Sequence, residues 1–127
     1  MIGDLRFEIA RAERADALTV GVFLLLERLS SAERAAYILR VAFDYSYRDI
    51  AEVLAVQEAN ARQLVSRARS HVARGPRCSV LPEDHRRLLD ALNTAVRAGD
   101  PGGLAHLFAA EVGALRAARA STNPIEP

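Results

Sequence analysis

The sequence predicts an all-α chain: a cluster of about four helices built around a helix-turn-helix, followed by a linker and two further helices. Apolar residues recur at helical spacing, as in Leu18, Val22, Leu25 and Leu29. Helix-start signals divide the periodic stretches, with Ser30 set before Glu33 and Ser46 before Asp49 at capping distance. The stretch 46–72, SYRDIAEVLAVQEANARQLVSRARSHV, reads as a short apolar helix, a tight turn and a longer helix.

Taken in order, residues 1–15 form a mixed, charged leader in which Leu5 and Ile9 share a helical face. From Asp16 the stripe of Leu18, Val22, Leu25 and Leu29, thickened by Phe23, Leu24 and Leu26, predicts a strongly apolar helix. So much apolar surface fits a central core helix or, alternatively, a self-association face. The Ser30–Glu33 capping box ends that helix and starts one over 32–43, with Ala35, Ile38, Leu39, Ala42 and Phe43 inward. Asp44, Tyr45 and Ser46 lead to a helix over 47–54, whose Ile50, Val53 and Leu54 form an apolar face while Arg48, Asp49 and Glu52 stay in water. A break at Ala55, Val56 and Gln57 precedes a helix from Glu58, with Ala61, Val65, Ala68 and Val72 buried and Arg62, Gln63, Ser66, Arg67 and Arg69 outside. Gly75, Pro76 and Pro82 mark residues 75–82 as a linker. Pro82 and Gly99 bracket an amphipathic helix over 83–98 that carries Leu89, Leu92 and Val96. A turn and a short helix through Leu104, Leu107 and Phe108 follow, and the end, 113–127, is expected to be a disordered tail.

With 50% hydrophobic and 26% charged residues, the composition is that of an ordinary soluble domain. All 17 basic residues are arginine, against 16 acids, so the chain is nearly neutral. Between Glu58 and Arg77, however, five arginines face one acid, and such local positive charge suits contact with phosphate. A helical bundle with a solvated basic face would show the same pattern. The single cysteine, Cys78, excludes an internal disulfide and fits a reducing cytoplasm. No signal-peptide pattern opens the chain and the longest apolar run, 20–26, is too short to span a bilayer, so a cytoplasmic protein without membrane contact is expected. His71, His85 and His106 share no spacing, no glycine-rich phosphate loop is present, and no nucleophile stands beside a base. Neither a metal, a cofactor nor an enzyme activity is expected.

From Glu27 to Val72, ERLSSAERAAYILRVAFDYSYRDIAEVLAVQEANARQLVSRARSHV resembles region 4 of an extracytoplasmic-function (ECF) sigma factor of the sigma-70 family. The signs are a leucine and serine ahead of an ER pair, a helix ending in Phe43 and Asp44, the phrase YRDIAEVL, and a recognition helix closing in SRAR. LLERLS, FDYSY and RQLVSRAR are similar to the subgroup with a SnoaL-like extension after region 4. LPEDHRRLLDALNTAVRAGDPGGLAHLFAAEV, at 81–112, resembles the first two helices of that extension. The resemblance implies a leader (1–15), a region 4-like helix-turn-helix domain (16–74), a linker (75–82), a helical stub of the SnoaL-like part (83–112) and the tail (113–127). It also implies a truncated protein, with no region 2 to melt the promoter and make the main polymerase contact, and an incomplete SnoaL-like part.

On this resemblance helix 58–73 enters the major groove and reads a −35-type promoter element. Its candidate contacts are Glu58, Asn60, Arg62, Gln63, Ser66 and Arg67, with Arg62 and Gln63 suited to base edges through paired hydrogen bonds. Arg67, Arg69 and Arg74 suit phosphate, as does Arg48 in the preceding helix. Promoter DNA is the expected partner, with the flap of RNA polymerase as a second. Ala55 stands where the turn usually has glycine, a cost of about 1 kcal/mol at positive φ. Gln57 stands at the usual serine cap, a loss of roughly 1 kcal/mol, and Leu64 where relatives often have a basic residue. The competing expectation is a protein-interaction module that has lost DNA reading and dimerises through the apolar 18–29 face or binds a sigma or polymerase partner. A remnant without selected activity is a third.

Overall fold

The computed structural model describes residues 16–122, with side chains as far as residue 120, so the leader and residues 123–127 lie outside the described residues. The elements are α1 over 16–28, α2 Ser31–Phe43, α3 Tyr47–Leu54, α4 Glu58–Arg74, α5 Pro82–Ala98 and α6 Gly102–Thr122. Among the described residues there is no strand, and no helix is long and apolar enough to cross a membrane. The all-α class follows from the helical periodicity, with α3 and α4 as the helix-turn-helix.

Local chemistry places the breaks. The Ser30 hydroxyl accepts from the Glu33 amide at 3.3 Å while Glu33 Oε1 accepts from the Ser30 amide at 3.1 Å, a complete capping box that starts α2. Ser46 Oγ accepts from the Asp49 amide at 3.0 Å and starts α3. Both helices end in the left-handed region, α2 at Asp44 with φ 56° and α3 at Ala55 with φ 56°. Aspartate tolerates this conformation, whereas alanine pays about 1–2 kcal/mol for the approach of Cβ to the next carbonyl. Gln57 opens α4 with no side-chain capping bond. The turn that orients α4 is therefore formed against local preference.

Packing supplies the difference. Leu39, Ile50 and Leu54 are almost wholly buried, as are Ala61, Val65 and Ala68 of α4. Each large aliphatic side chain contributes about 1.5–3 kcal/mol by leaving water. Small residues, Ala35 and Ala36 on α2 and Ala61 and Ala68 on α4, are fully buried where these two helices pack, which lets their axes approach closely. Ala42, expected inward, is exposed, and Val72 only half-buried. Both border an apolar groove between α1 and α2, lined also by Leu18, Val22, Leu25 and Val41, that the described residues leave open to solvent.

The C-terminal third departs most from expectation. Instead of a short helix and a disordered tail from 113, α6 continues unbroken to Thr122. Leu104, Phe108 and Val112 repeat at the spacing of one helical face and are buried as α6 packs on both α2 and α3. Alanine and arginine are strong helix formers, so once the first half is anchored the rest propagates without a new nucleation step. The buried stripe of α5 is Leu88, Leu92 and Ala95 rather than Leu89, Leu92 and Val96; Leu89 is half-buried and Val96 exposed. Helix α5 turns this face to α6, with which it forms a hairpin through Gly99, in the left-handed region, and Asp100, whose Oδ1 accepts from the Gly102 amide. A buried arginine reinforces the union. Arg34 donates to the Leu29 carbonyl and to Ser31 Oγ, and while burial pulls its guanidinium below its ordinary pKa, the carboxylates of Glu111 and Asp84 oppose that shift.

Ala55→Gly is expected to raise the unfolding free energy by about 1 kcal/mol, because glycine adopts the left-handed region without the Cβ clash. Urea unfolding of the two proteins measures it; an unchanged or lower stability would contradict strain at this turn.

Candidate nucleic-acid interface

Helix α4 presents one long solvent-facing surface. With Ala61, Leu64, Val65 and Ala68 buried, helical periodicity puts Ala59, Gln63, Ser66 and Ser70 on the opposite, exposed side. Arg62 and Arg69 share one flank of this surface and Asn60, Arg67 and Arg74 the other, all exposed. Arg48 stands apart, exposed in the first turn of α3. The candidate residues thus fall into a small, polar centre with arginines on either side.

The flank with Arg62 is bound to α3. The Arg62 guanidinium lies 5.0 Å from the centroid of the Tyr47 ring, and Arg40 of α2 lies 4.4 Å from the same ring. Each cation–π contact is worth about 0.5–1 kcal/mol at an exposed position. Arg62 also pairs with Glu58 one turn earlier, at 3.1 Å. At the far end, Arg28 of α1 donates to the Val72 carbonyl at 2.8 Å, satisfying an acceptor in the last turns of α4. There, too, His71 Nδ1 lies 3.0 Å from Glu33 Oε1, so the carboxylate that caps α2 also holds α4. Arg77 Nη1 stands 3.8 Å from that oxygen, and the Arg77 amide donates to the Glu27 carbonyl at 2.7 Å, drawing the linker back over α1.

The flank with Asn60 faces α6. Leu64 is buried, and with Asn60 and Val56 it borders a cavity whose far wall is Val112, Leu115, Arg116 and Arg119 of α6. Leu64, where a basic residue was expected, belongs instead to the buried core cluster. Arg116 Nη1 reaches the Ala55 carbonyl at 3.4 Å. Sequence reasoning missed Arg28, Tyr47, Arg116 and Arg119 as parts of this region. Only the last two had a legible signal, the high helix propensity of ALRAARA, which was read as a tail. Among the described residues no group of three His, Cys, Asp or Glu side chains converges to hold a metal.

Similarity to known proteins falls on this same helix-turn-helix. Residues 22–72 match the family described as Sigma-70, region 4. α4 is the second helix of that unit. The chain is 35% identical over 94 residues, 72% of its length, to the ECF RNA polymerase sigma factor SigJ of Mycobacterium tuberculosis. It is 34% identical over 86 residues, 67% of its length, to the probable ECF RNA polymerase sigma factor SigI of the same organism. It spans only 30% of the length of each of these relatives. No solved structure matches it.

The helix-turn-helix unit rests on Glu33, whose ionisation links stability to pH. Burial raises the pKa of its carboxyl, but the hydrogen bonds from His71 and from the Ser30 amide outweigh this and hold it below its ordinary value. A carboxyl depressed in the folded state adds stability above the ordinary glutamate pKa of about 4.3, and that stability is lost as pH falls through the lower, folded value. Glu33→Gln is expected to cost about 1–3 kcal/mol at neutral pH and to flatten the acid limb of the stability–pH profile. Urea titrations from neutral to acid pH test this, and an unchanged acid limb would contradict it.

Proposed function

We propose that the chain is a DNA-binding module of transcription initiation, in which α4 reads a −35-type promoter element. The observation that carries this reading is the exposed face of α4, a small polar centre flanked by arginines, within a stretch similar to sigma-70 region 4. Gln63 at that centre is the base reader, since a carboxamide matches adenine with two hydrogen bonds, and Ser66 lies beside it. Arg62, held over Tyr47 and by Glu58, serves the phosphates with Arg67, Arg69 and Arg74 rather than a base. Arg48 extends that contact from α3, and Asn60 and Glu58 border the reading face near the start of α4. The chain acts by binding, not by catalysis, in the cytoplasm.

The second partner is RNA polymerase, whose flap would take the open apolar groove between α1 and α2; the presence of exposed Val41 beside half-buried Leu18 there favours this. Self-association through the 18–29 face has less to work with, because Val22 and Leu29 are turned into the core, although Val20 and Phe23 remain exposed. Helices α5 and α6 are assigned to the opening of a SnoaL-like extension, α6 packing against α2 and α3.

Binding to a promoter-length duplex is expected to weaken steeply with salt, with a slope of log K on log salt of about −0.9 per phosphate contacted. Arg62→Ala/Arg67→Ala/Arg69→Ala should lose most of that binding and slope, and Val41→Asp should spare DNA affinity while weakening capture of core polymerase. Fluorescence anisotropy across a salt series measures the first pair of outcomes. Absence of binding by the unaltered chain at low salt would overturn the DNA reading.

A further inference from the structure

The end of α6 brings arginines to the edge of the α4 reading face that no region 4 helix supplies. Arg116 and Arg119 are exposed, one helical turn apart, and border a common cavity with Val56, Asn60 and Leu64 of the helix-turn-helix. Arg116 is fixed there by its bond to the Ala55 carbonyl, the turn residue from which α4 departs. From Val112 onward the described part of α6 holds these basic residues and no acid. On the α4 side, the nearest acid in sequence, Glu58, is engaged with Arg62, and Glu33 of α2 is buried against His71. Arg116 and Arg119 thus add two guanidinium groups to the basic residues that α4 carries on this flank.

The geometry points to a second DNA contact: we propose that Arg116 and Arg119 grip the phosphodiester backbone on the Asn60–Arg67 side of the groove entered by α4. When the start of a recognition helix sits among base edges, the phosphates bordering the groove pass its two flanks. On the Arg62 side those phosphates meet arginines of α4 alone; on the Asn60 side, where Leu64 borders the cavity shared with α6, Arg116 and Arg119 add to Arg67 and Arg74 of α4. Guanidinium groups suit this role because each offers paired donors to phosphate oxygens and one Arg116 bond to a carbonyl leaves further N–H groups. Helix α6 is thus part of the DNA-binding surface, contributing affinity without sequence information.

This inference rests on the DNA reading above, and the test separates the two. Arg116→Gln/Arg119→Gln and Arg116→Lys/Arg119→Lys are made in the full chain and compared with the unaltered protein by anisotropy on the same duplex over a salt series. The glutamine pair is expected to bind at least tenfold more weakly at low salt, with the log–log slope reduced by about 2. The lysine pair should keep most of the slope, which a merely structural role for the arginines would not predict. Discrimination between duplexes of different sequence should be unchanged. If the unaltered chain binds and the glutamine pair matches it in affinity and slope, or binds more tightly because α6 obstructs the duplex, the α6 contact is overturned while the reading of α4 stands. Failure of the unaltered chain to bind overturns both.

Discussion

Glu33 Oε1 sits where three segments of the chain meet. It accepts the Ser30 amide at the start of α2, faces His71 on α4 at 3.0 Å, and has Arg77 of the linker at 3.8 Å. A carboxylate withdrawn from water loses several kcal/mol of solvation unless it is fully paired, so its partners are not interchangeable with solvent. The consequence is geometric. The α1–α2 junction, the last turns of α4 and the exit of the chain from α4 are fixed by one atom, and Arg28 on the Val72 carbonyl holds the same end again.

The opposite end of α4 is set by different means. Ala55 in the left-handed region and Gln57 without a capping bond together cost about 2–3 kcal/mol of local preference. Burial of Leu54 before the turn and of Leu64 and Val65 after it outweighs this, at about 1.5–3 kcal/mol for each side chain. Tertiary packing thus overrides local propensity at the point that aims the reading face. The polar centre of that face is left with short side chains, and its longer cations are held to the sides, Arg62 by Tyr47 and Glu58. Arginines that are already oriented lose less entropy on meeting phosphate.

Most of the fold was legible because its signals are local. The capping box at Ser30, the hydroxyl cap at Ser46, the break at 55–57 and the glycine at 99 each act within a few residues, and each appears where the sequence places it. What was not legible depends on distant partners. Nothing near Leu64 in sequence reports that it borders a cavity shared with a helix some fifty residues later, and nothing in ALRAARA distinguishes a solvated tail from a continuing helix. The stripe of α5 was misread for the same reason: Leu88, Leu89 and Leu92 are all apolar, and only the position of α6 decides which of them is buried. On α4, sequence identified the exposed residues but not the contacts of Arg62 with the ring of Tyr47 and with Glu58, which are tertiary facts.

The most direct test is to follow backbone amide chemical shifts of the protein while a promoter-length duplex is added. Perturbations centred on Ala59, Gln63, Ser66 and Ser70, with smaller ones on the arginine flanks and little change at Leu18 and Val41, are the result expected if the exposed face of α4 meets DNA. Shifts confined to the α1–α2 groove, with the amides of α4 unmoved, would contradict it.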